Sequence, residues 1–213
     1  MKLELIHVGM VMTNCYILTN EETGEAALID PGDEADRLLA CCRDRRLTAI
    51  LLTHGHFDHI LAVPRLREAS GARIYAPAAE VPLLMDSDEN LSGPWQGRPV
   101  SVRADVTLQD GEEFELLGTR IRMLLTPGHT AGSCCYYLPQ EGWLFSGDTL
   151  FCESYGRVDL PTAMPDAISR SVRELLALPA DTRVFPGHGG GTDIAHERKC
   201  NPLTHGWKEE DVK

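Results

Sequence analysis

Four potential metal ligands occur within six residues of this chain, directly after a run of apolar residues. Residues 53–59 read Thr-His-Gly-His-Phe-Asp-His, and the preceding segment 48–53 is apolar and rich in β-branched residues. Such a run predicts a buried strand, so the ligands lie on the loop at its carboxyl end, where open α/β sheets bind ligands. His54 and His56 can point to one side of an extended loop, whereas Asp58 and His59 follow as the chain turns into a helix. The sequence therefore predicts an α/β fold with one metal site or two adjacent sites.

The second half of the chain repeats this arrangement three times. Strands are predicted at 120–126, 143–146 and 182–185, and each is followed by a glycine and then by His129, Asp148 or His188. A glycine lets the backbone turn sharply and brings the next side chain to the edge of the sheet. One such motif is weak evidence, but three of them beside a His-x-His-x-Asp-His motif together indicate a metal centre.

The rest of the pattern predicts strands and helices in alternation. A hairpin is expected over 16–30 with its turn at 21–24, and amphipathic helices are expected over 33–46 and 165–178. The helix after the histidine loop is expected to end near Gly71, and Pro64 is unfavourable within it unless it lies in the first turn. Residues 86–104 are rich in Gly, Pro, Ser and Asp and include Trp95. They predict a long loop, which is either a lid or wall of a substrate site or an exposed connector.

Composition limits the classes of partner. The 213 residues carry a net charge of -12, and 43% of them are hydrophobic, which is ordinary for a soluble globular enzyme. The acidic balance disfavours nucleic acids and anionic membranes as partners, because both require basic surface. No apolar run approaches the ~18 residues that span a bilayer. The seven cysteines include adjacent pairs and no C-x-x-C motif, so they are expected to be reduced thiols in a cytoplasm.

These motifs resemble those of the metallo-β-lactamase superfamily. The matching segments are THGHFDH at 53–59, TPGHTAGS around His129, FSGDTLF around Asp148 and PGHGGGT around His188. The segment 147–202 further resembles the short glyoxalase II-like hydrolases. The resemblance implies an αββα sandwich of two similar halves, formed by residues 1–213 as a single domain, with the metal site at one edge.

The resemblance also implies a set of ligands and a chemistry. One metal is held by His54, His56 and His129, a second by Asp58, His59 and His188, and Asp148 bridges the two. A set of imidazoles and carboxylates suits Zn(II), with Fe or Mn as alternatives. Two neighbouring cations can share a water and lower its pKa to about 7, which supplies a bridging hydroxide as nucleophile at neutral pH. Asp58 is also assigned a catalytic role.

The implied activity is hydrolysis of a small thioester, for example a lactoyl thiol. A thiolate can leave without a general acid, and no additional acid is evident beside the predicted ligands. Arg157 and Tyr155 are candidates for holding a carboxylate of the substrate, although an internal Arg157–Asp159 ion pair is the alternative for Arg157. Long glyoxalase II enzymes bind glutathione through a carboxyl-terminal extension that this sequence does not show, so weak saturation with the glutathione ester is expected and another small thiol is an alternative carrier.

Three other functions remain open at this stage. A persulfide dioxygenase of the same superfamily uses one Fe(II), but its relatives usually carry Ala-His-Asp where this chain has Gly-His-Gly at 187–189. A β-lactamase is disfavoured because Asp148 occupies a position where those enzymes generally lack a bridging carboxylate. A non-catalytic metal-binding protein is disfavoured by the intact ligand set.

Overall fold

Two six-stranded β-sheets face each other, and helices cover the outer side of each sheet. The computed structural model describes residues 1–204. In the first sheet, the spatial order of the strands follows the chain: β1 (Lys2–Val8), β2 (Thr13–Asn20), β3 (Glu25–Ile29), β4 (Arg46–Leu51), β5 (Arg73–Pro77) and β6 (Val106–Leu108). The first three strands are antiparallel, and β3 to β6 are parallel.

The second sheet is mostly antiparallel, and its spatial order also follows the chain apart from two strands that form a separate ribbon. Its strands are β7 (Glu113–Leu116), β8 (Thr119–Leu125), β9 (Cys134–Leu138), β10 (Trp143–Gly147), β13 (Arg183–Pro186) and β14 (Thr192–Asp193), and a separate ribbon is formed by β11 (Leu150–Phe151) and β12 (Ser154–Tyr155). β9 runs antiparallel to both β8 and β10, and β10 is parallel to β13. β8, β10 and β13 therefore run in the same direction, and their carboxyl ends lie at the same edge of the sheet.

Helices form the two outer layers. They are α1 (Ala35–Cys41), α2 (Phe57–Ile60), α3 (Val63–Ser70), α4 (Val81–Met85), α5 (Ser92–Gln96), α6 (Pro165–Leu175) and α7 (Ile194–Cys200), with short 3-10 turns at Ala78–Glu80 and Pro202–Thr204. Leu38 of α1 and Leu66 of α3 pack on the first sheet, and Val172 of α6 and Ile194 of α7 pack on the second. None of these helices within residues 1–204 is long and apolar enough to cross a bilayer.

The central core lies between the two sheets. Alternate residues of one strand serve different layers, because successive side chains point to opposite faces. On β3, for example, Leu28 packs under the first helical layer, whereas Ala27 and Ile29 pack between the sheets. Tyr136 and Phe145 of the second sheet fill the central layer and are fully buried. The αββα sandwich predicted from the sequence is confirmed.

The predicted elements are confirmed with changed bounds. The helix expected over 33–46 is shorter, since Glu34 has a left-handed backbone with φ of 57° and α1 ends at Cys41. β4 starts earlier than predicted, because Arg46 already pairs with Glu25 of β3. Pro64 lies in the first turn of α3 as expected. Every cysteine is a free thiol, and only Cys152 and Cys200 are exposed.

Candidate metal centre

The seven side chains predicted to bind metal meet at one edge of the sandwich. His54 and His56 lie on the extended segment after β4, and Asp58 and His59 lie in α2. His129, Asp148 and His188 follow the carboxyl ends of β8, β10 and β13. The two sheets are joined at this edge, because the Asn14 amide of β2 donates to the Gly187 carbonyl at 2.7 Å.

The first triad consists of three buried histidines. One ring nitrogen from each of His54, His56 and His129 lies within 4.8 Å of the others. His56 Nδ1 and His129 Nε2 are only 2.9 Å apart. Burial, followed by the neighbouring imidazoles, lowers the pKa of His54 well below its usual value. Burial and His129 lower the pKa of His56 to about 3. Both rings are therefore neutral, which is the form that binds a metal.

The second triad is formed by Asp58, His59 and His188, and its ligand atoms again lie within 4.8 Å of one another. Asp58 Oδ2 is 3.1 Å from His188 Nε2 and 3.4 Å from His59 Nε2. Burial raises the pKa of Asp58, but the charge of His59 and hydrogen bonds from His188 and His59 outweigh burial and hold it well below its usual value. Asp58 is therefore a carboxylate at neutral pH.

Asp148 lies between the two triads. Its Oδ2 is 3.6 Å from His129 Nε2 of the first triad and 3.6 Å from His188 Nε2 of the second. Its Oδ1 is 3.6 Å from His59 Nε2. Gly187 leaves room for this carboxylate, because a Cβ at that position would overlap Asp148 Oδ1 and lie 2.8 Å from His59 Cε1.

Unpaired polar atoms show that this arrangement fits a cation. The buried atoms His54 Nε2, His59 Nε2 and Asp148 Oδ1 have no hydrogen-bond partner within residues 1–204. Leaving such atoms unpaired costs about 1–3 kcal/mol each. A divalent cation satisfies imidazole nitrogens and carboxylate oxygens together, so the donor set fits a metal centre.

Three polar groups hold the candidate ligands from behind. The Arg157 carbonyl lies 2.8 Å from His129 Nδ1, and the Thr13 hydroxyl donates to Asp58 Oδ2 at 3.0 Å. Asp30 Oδ2 is 3.0 Å from His59 Nδ1. Such outer partners fix the orientation of metal ligands. The motifs gave no signal for Asp30 or Thr13, because neither lies near its partner in the sequence.

An open cavity of about 340 Å³ lies over the candidate ligands. Its wall contains His56, Asp58, His129, Asp148 and His188, together with apolar side chains from several loops: Val11, Phe57, Leu91, Trp95, Phe151 and Leu160. Leu91 and Trp95 belong to the segment 86–104, where α5 interrupts the predicted loop. That segment is therefore a wall of the cavity and not merely a connector.

The two predicted substrate-binding residues have different surroundings. Arg157 lines the cavity, but its guanidinium forms two hydrogen bonds of 2.6 and 2.7 Å with Asp159. The predicted internal ion pair is thus present. Tyr155 packs against the hydrophobic cluster under α6 and α7 and is not among the residues that line the cavity. The structure therefore gives no support to the predicted substrate contact of Tyr155.

Known proteins with similar sequences include metal-dependent hydrolases. The chain is 35% identical to the probable metallo-hydrolase YqgX of Bacillus subtilis over 211 residues, which cover 97% of this chain and 99% of the relative. It is 34% identical to the hydroxyacylglutathione hydrolase GloC of Haemophilus influenzae over 212 residues, covering 95% and 98% of the two chains.

Solved structures with the same architecture cover nearly the whole chain. BLEG-1, described as a B3 metallo-β-lactamase, matches with a TM-score of 0.89 and 36% identity, over 95% of this chain and 99% of its own. TTHA1623 in a di-iron-bound form matches with a TM-score of 0.83 and 38% identity, over 94% of this chain and 99% of its own. ETHE1 from Myxococcus xanthus matches with a TM-score of 0.77 and 30% identity, over 99% of this chain and 88% of its own.

A family model places the chain among these proteins. The model of the metallo-beta-lactamase superfamily matches residues 8–188, a span that begins at the end of β1 and includes all seven candidate ligands. This match agrees with the αββα sandwich and with the cluster of histidines and aspartates at its edge. The chain belongs to the metallo-β-lactamase superfamily.

Proposed function

We propose that this chain is a metal-dependent hydrolase that cleaves a small thioester, such as a lactoyl thiol, at a dinuclear centre. The observation that carries the proposal is the position of Asp148, which lies 3.6 Å from a histidine of each triad. In this proposal His54, His56 and His129 would hold one metal, Asp58, His59 and His188 would hold a second, and Asp148 would contribute a carboxylate to both. Zn(II) is the expected metal, with Fe or Mn as alternatives. When bound, the metals would polarise the substrate carbonyl and lower the pKa of the attacking water.

Asp58 is proposed to act in catalysis as well as in binding. It lines the cavity, and its low pKa keeps it ionised at neutral pH. The Thr13 hydroxyl holds its Oδ2 in place at 3.0 Å. A fixed carboxylate beside the substrate cavity can accept a hydrogen bond from the attacking water and orient it.

The composition of the cavity wall favours a thioester over an amide. Apart from the candidate ligands, Arg157 is the one ionisable side chain among the described residues that line the cavity. An arginine does not give up its proton at neutral pH, so it does not protonate a departing amine. A thiolate needs no such proton, because the pKa of a thiol is about 8.5. The wall therefore suits a leaving group that departs as an anion.

The same wall suggests which carriers bind well. Six apolar side chains surround the candidate ligands, and the guanidinium of Arg157 is already paired with Asp159. A glutathione ester presents two carboxylates to a surface with little positive charge. We therefore expect the glutathione ester to show a raised KM with a smaller effect on kcat, because the carrier contributes little binding energy.

One alternative activity has specific support, because the likeness to BLEG-1, described as a B3 metallo-β-lactamase, favours hydrolysis of a lactam. The persulfide dioxygenase considered above is the second alternative, and the ETHE1 likeness is compatible with either reaction. The thioesterase proposal draws on the GloC relative and on the cavity wall.

The deciding experiment compares four reactions on one metal-loaded preparation. The kcat/KM values for a lactoyl thioester, a cephalosporin-type lactam and a phosphodiester are measured, and sulfite formation from a persulfide is followed with oxygen uptake. We expect the thioester to be the best substrate by at least about tenfold, with the His54→Ala variant as the inactive control. Faster turnover of the lactam or the phosphodiester, or sulfite formation that consumes oxygen, would overturn the proposal.

A further inference from the structure

Glu80 is a buried carboxylate that is not one of the seven candidate ligands, and it contacts both chain segments that carry the first triad. Glu80 ends the 3-10 turn Ala78–Glu80, immediately before α4. Its side chain is 1% exposed. Its polar contacts are with the amides of Gly55 and Gly132 and with the hydroxyl of Thr130, and burial outweighs these donors and raises the pKa of Glu80 to about 7. A carboxylate buried without a charged partner is costly, so its retention calls for an explanation.

The contacts of Glu80 reach the two chain segments that carry the first triad. Glu80 Oε1 accepts a hydrogen bond of 2.8 Å from the amide of Gly55, the residue between His54 and His56. The same oxygen accepts a second bond of 2.8 Å from the hydroxyl of Thr130, the residue after His129. The Gly132 amide is a third donor. All three partners are donors, and a carboxylate is the side chain that offers acceptors only.

Two glycines bring these segments close to the turn that carries Glu80. A Cβ on Gly132 would overlap the backbone nitrogen and Oε2 of Glu80. A Cβ on Gly55 would lie 3.0 Å from Leu83 Cγ and 3.2 Å from the Leu84 nitrogen of α4. The segment 78–84 therefore packs directly against both loops, and the carboxylate joins them across the gap between the two sheets.

The contacts are specific to one triad. Glu80 binds Gly55, Thr130 and Gly132, and within residues 1–204 it forms no hydrogen bond with Asp58, His59 or His188. The second triad has its own supports, since Thr13 contacts Asp58 and Asp30 contacts His59. Loss of the carboxylate at Glu80 is thus expected to disturb one metal position more than the other.

We propose that Glu80 is a positioning residue for the first triad, fixing the loop of His54 and His56 against the segment that follows His129. This inference rests on the proposed dinuclear centre. Outer partners of metal ligands typically contribute about 10- to 100-fold to metal affinity. Glu80 acts through the backbone of both segments, so its removal lowers the affinity of the first metal position and leaves the second nearly unchanged.

The test measures metal affinity directly. Apoprotein is titrated with Co(II) and Zn(II) in competition with a chromogenic chelator, and the visible spectrum of bound Co(II) reports the ligand geometry. Two backgrounds separate the positions: His188→Ala keeps the first triad intact, and His54→Ala keeps the second. We expect Glu80→Gln to lower the metal affinity about tenfold or more in the His188→Ala background, with a changed Co(II) spectrum, and less than about twofold in the His54→Ala background.

Control variants separate positioning from general stability. Glu197 is also a fully buried carboxylate, and it accepts bonds from the Glu153 amide, the Thr192 hydroxyl and the Asn201 side chain, away from both triads. Glu197→Gln is expected to lower the Tm without changing either metal affinity. Should Glu80→Gln fail to fold, Thr130→Val provides a second test, because it removes the hydroxyl that donates to Glu80. Thr130→Ser keeps this hydroxyl, so its affinity for the first metal should match that of the unmodified protein.

The outcomes separate this inference from the proposed centre. If the unmodified protein binds fewer than two metals, the dinuclear proposal fails. If it binds two, and Glu80→Gln or Thr130→Val lowers both affinities equally or lowers neither, the role assigned to Glu80 is wrong while the centre stands.

Discussion

At the scale of single residues, three of the candidate ligands, Asp58, His59 and His129, contact a polar group that their own motifs do not contain. Asp30 Oδ2 lies 3.0 Å from His59 Nδ1, and its other oxygen accepts from the Thr53 amide at 2.8 Å. The Arg157 carbonyl lies 2.8 Å from His129 Nδ1. These contacts select which nitrogen of each ring faces the site, because a histidine offers only one lone pair at a time. These contacts therefore orient the rings of His59 and His129 within the site.

The first prediction concerns two variants, His54→Ala and Asp58→Ala. Each removes one candidate ligand from a different triad, and neither residue belongs to a hydrophobic core cluster. We expect each to lower thioester hydrolysis by more than the roughly 10- to 100-fold that loss of an outer partner costs, while the protein stays folded. Turnover and far-ultraviolet circular dichroism measure the two effects. Turnover close to that of the unmodified protein in a metal-depleted variant would show that the metals are not catalytic.

Sequence reasoning found the candidate ligands but not their supports, and the reason lies in chain distance. The strand-glycine-ligand pattern is local, so His129, Asp148 and His188 are visible in the sequence. Thr13 and Glu80 contact residues 45 and 25 positions away. No spacing rule connects residues that far apart without the fold. The roles of the seven candidate ligands, and of Thr13 and Glu80 as their supports, stay predictions.

At the scale of elements, strands were easier to predict than helix ends. β4 and β8 lie within two residues of their predicted bounds, whereas α1 is shortened by the left-handed backbone of Glu34, which no periodicity reveals. The segment 86–104 has the composition of a loop, yet it contains α5. Its helix is held by tertiary contacts such as that between Trp95 and Phe57, whose ring centroids are 6.0 Å apart.

The second prediction concerns α5 as a wall of the cavity. Trp95 lines the cavity and remains 53% exposed, so part of its ring is available to the substrate. Trp95→Ala should weaken substrate binding by about 1 kcal/mol, roughly fivefold in KM, because apolar contact area is lost. The kcat and the metal content should change little, since Trp95 is not a candidate ligand. Steady-state kinetics with the lactoyl thioester check this expectation.

A control for Trp95 is available on the same molecule. Met164 is an apolar side chain of similar exposure, 44%, and does not line the cavity. Met164→Ala should leave KM unchanged. An equal rise of KM in both variants, or a fall of kcat alone in Trp95→Ala, would show that α5 does not contact the substrate.

At the scale of the whole molecule, the sandwich brings together residues from both ends of the chain. The Asn14 side chain donates to the carbonyls of Pro186 and Gly189 at 2.9 Å, and the Tyr16 hydroxyl donates to Pro186 at 2.6 Å. These bonds join the second strand of one sheet to the loop that carries His188. These hydrogen bonds hold the edge of the sandwich together through residues that are not candidate metal ligands.

The last prediction concerns metal content and its effect on stability. Asp148 contacts both triads at 3.6 Å, so protein purified without chelator should contain close to two metals per chain by elemental analysis. Removal of these metals should lower the Tm without unfolding the protein, because a ligand that binds only the folded state adds RT ln(1 + [L]/Kd) to its stability. Readdition of Zn(II) should restore both the content and the Tm. A content of one metal that added metal does not raise would contradict the dinuclear centre and favour the mononuclear dioxygenase, because a single metal leaves one of the two triads and the bridging position of Asp148 without a role.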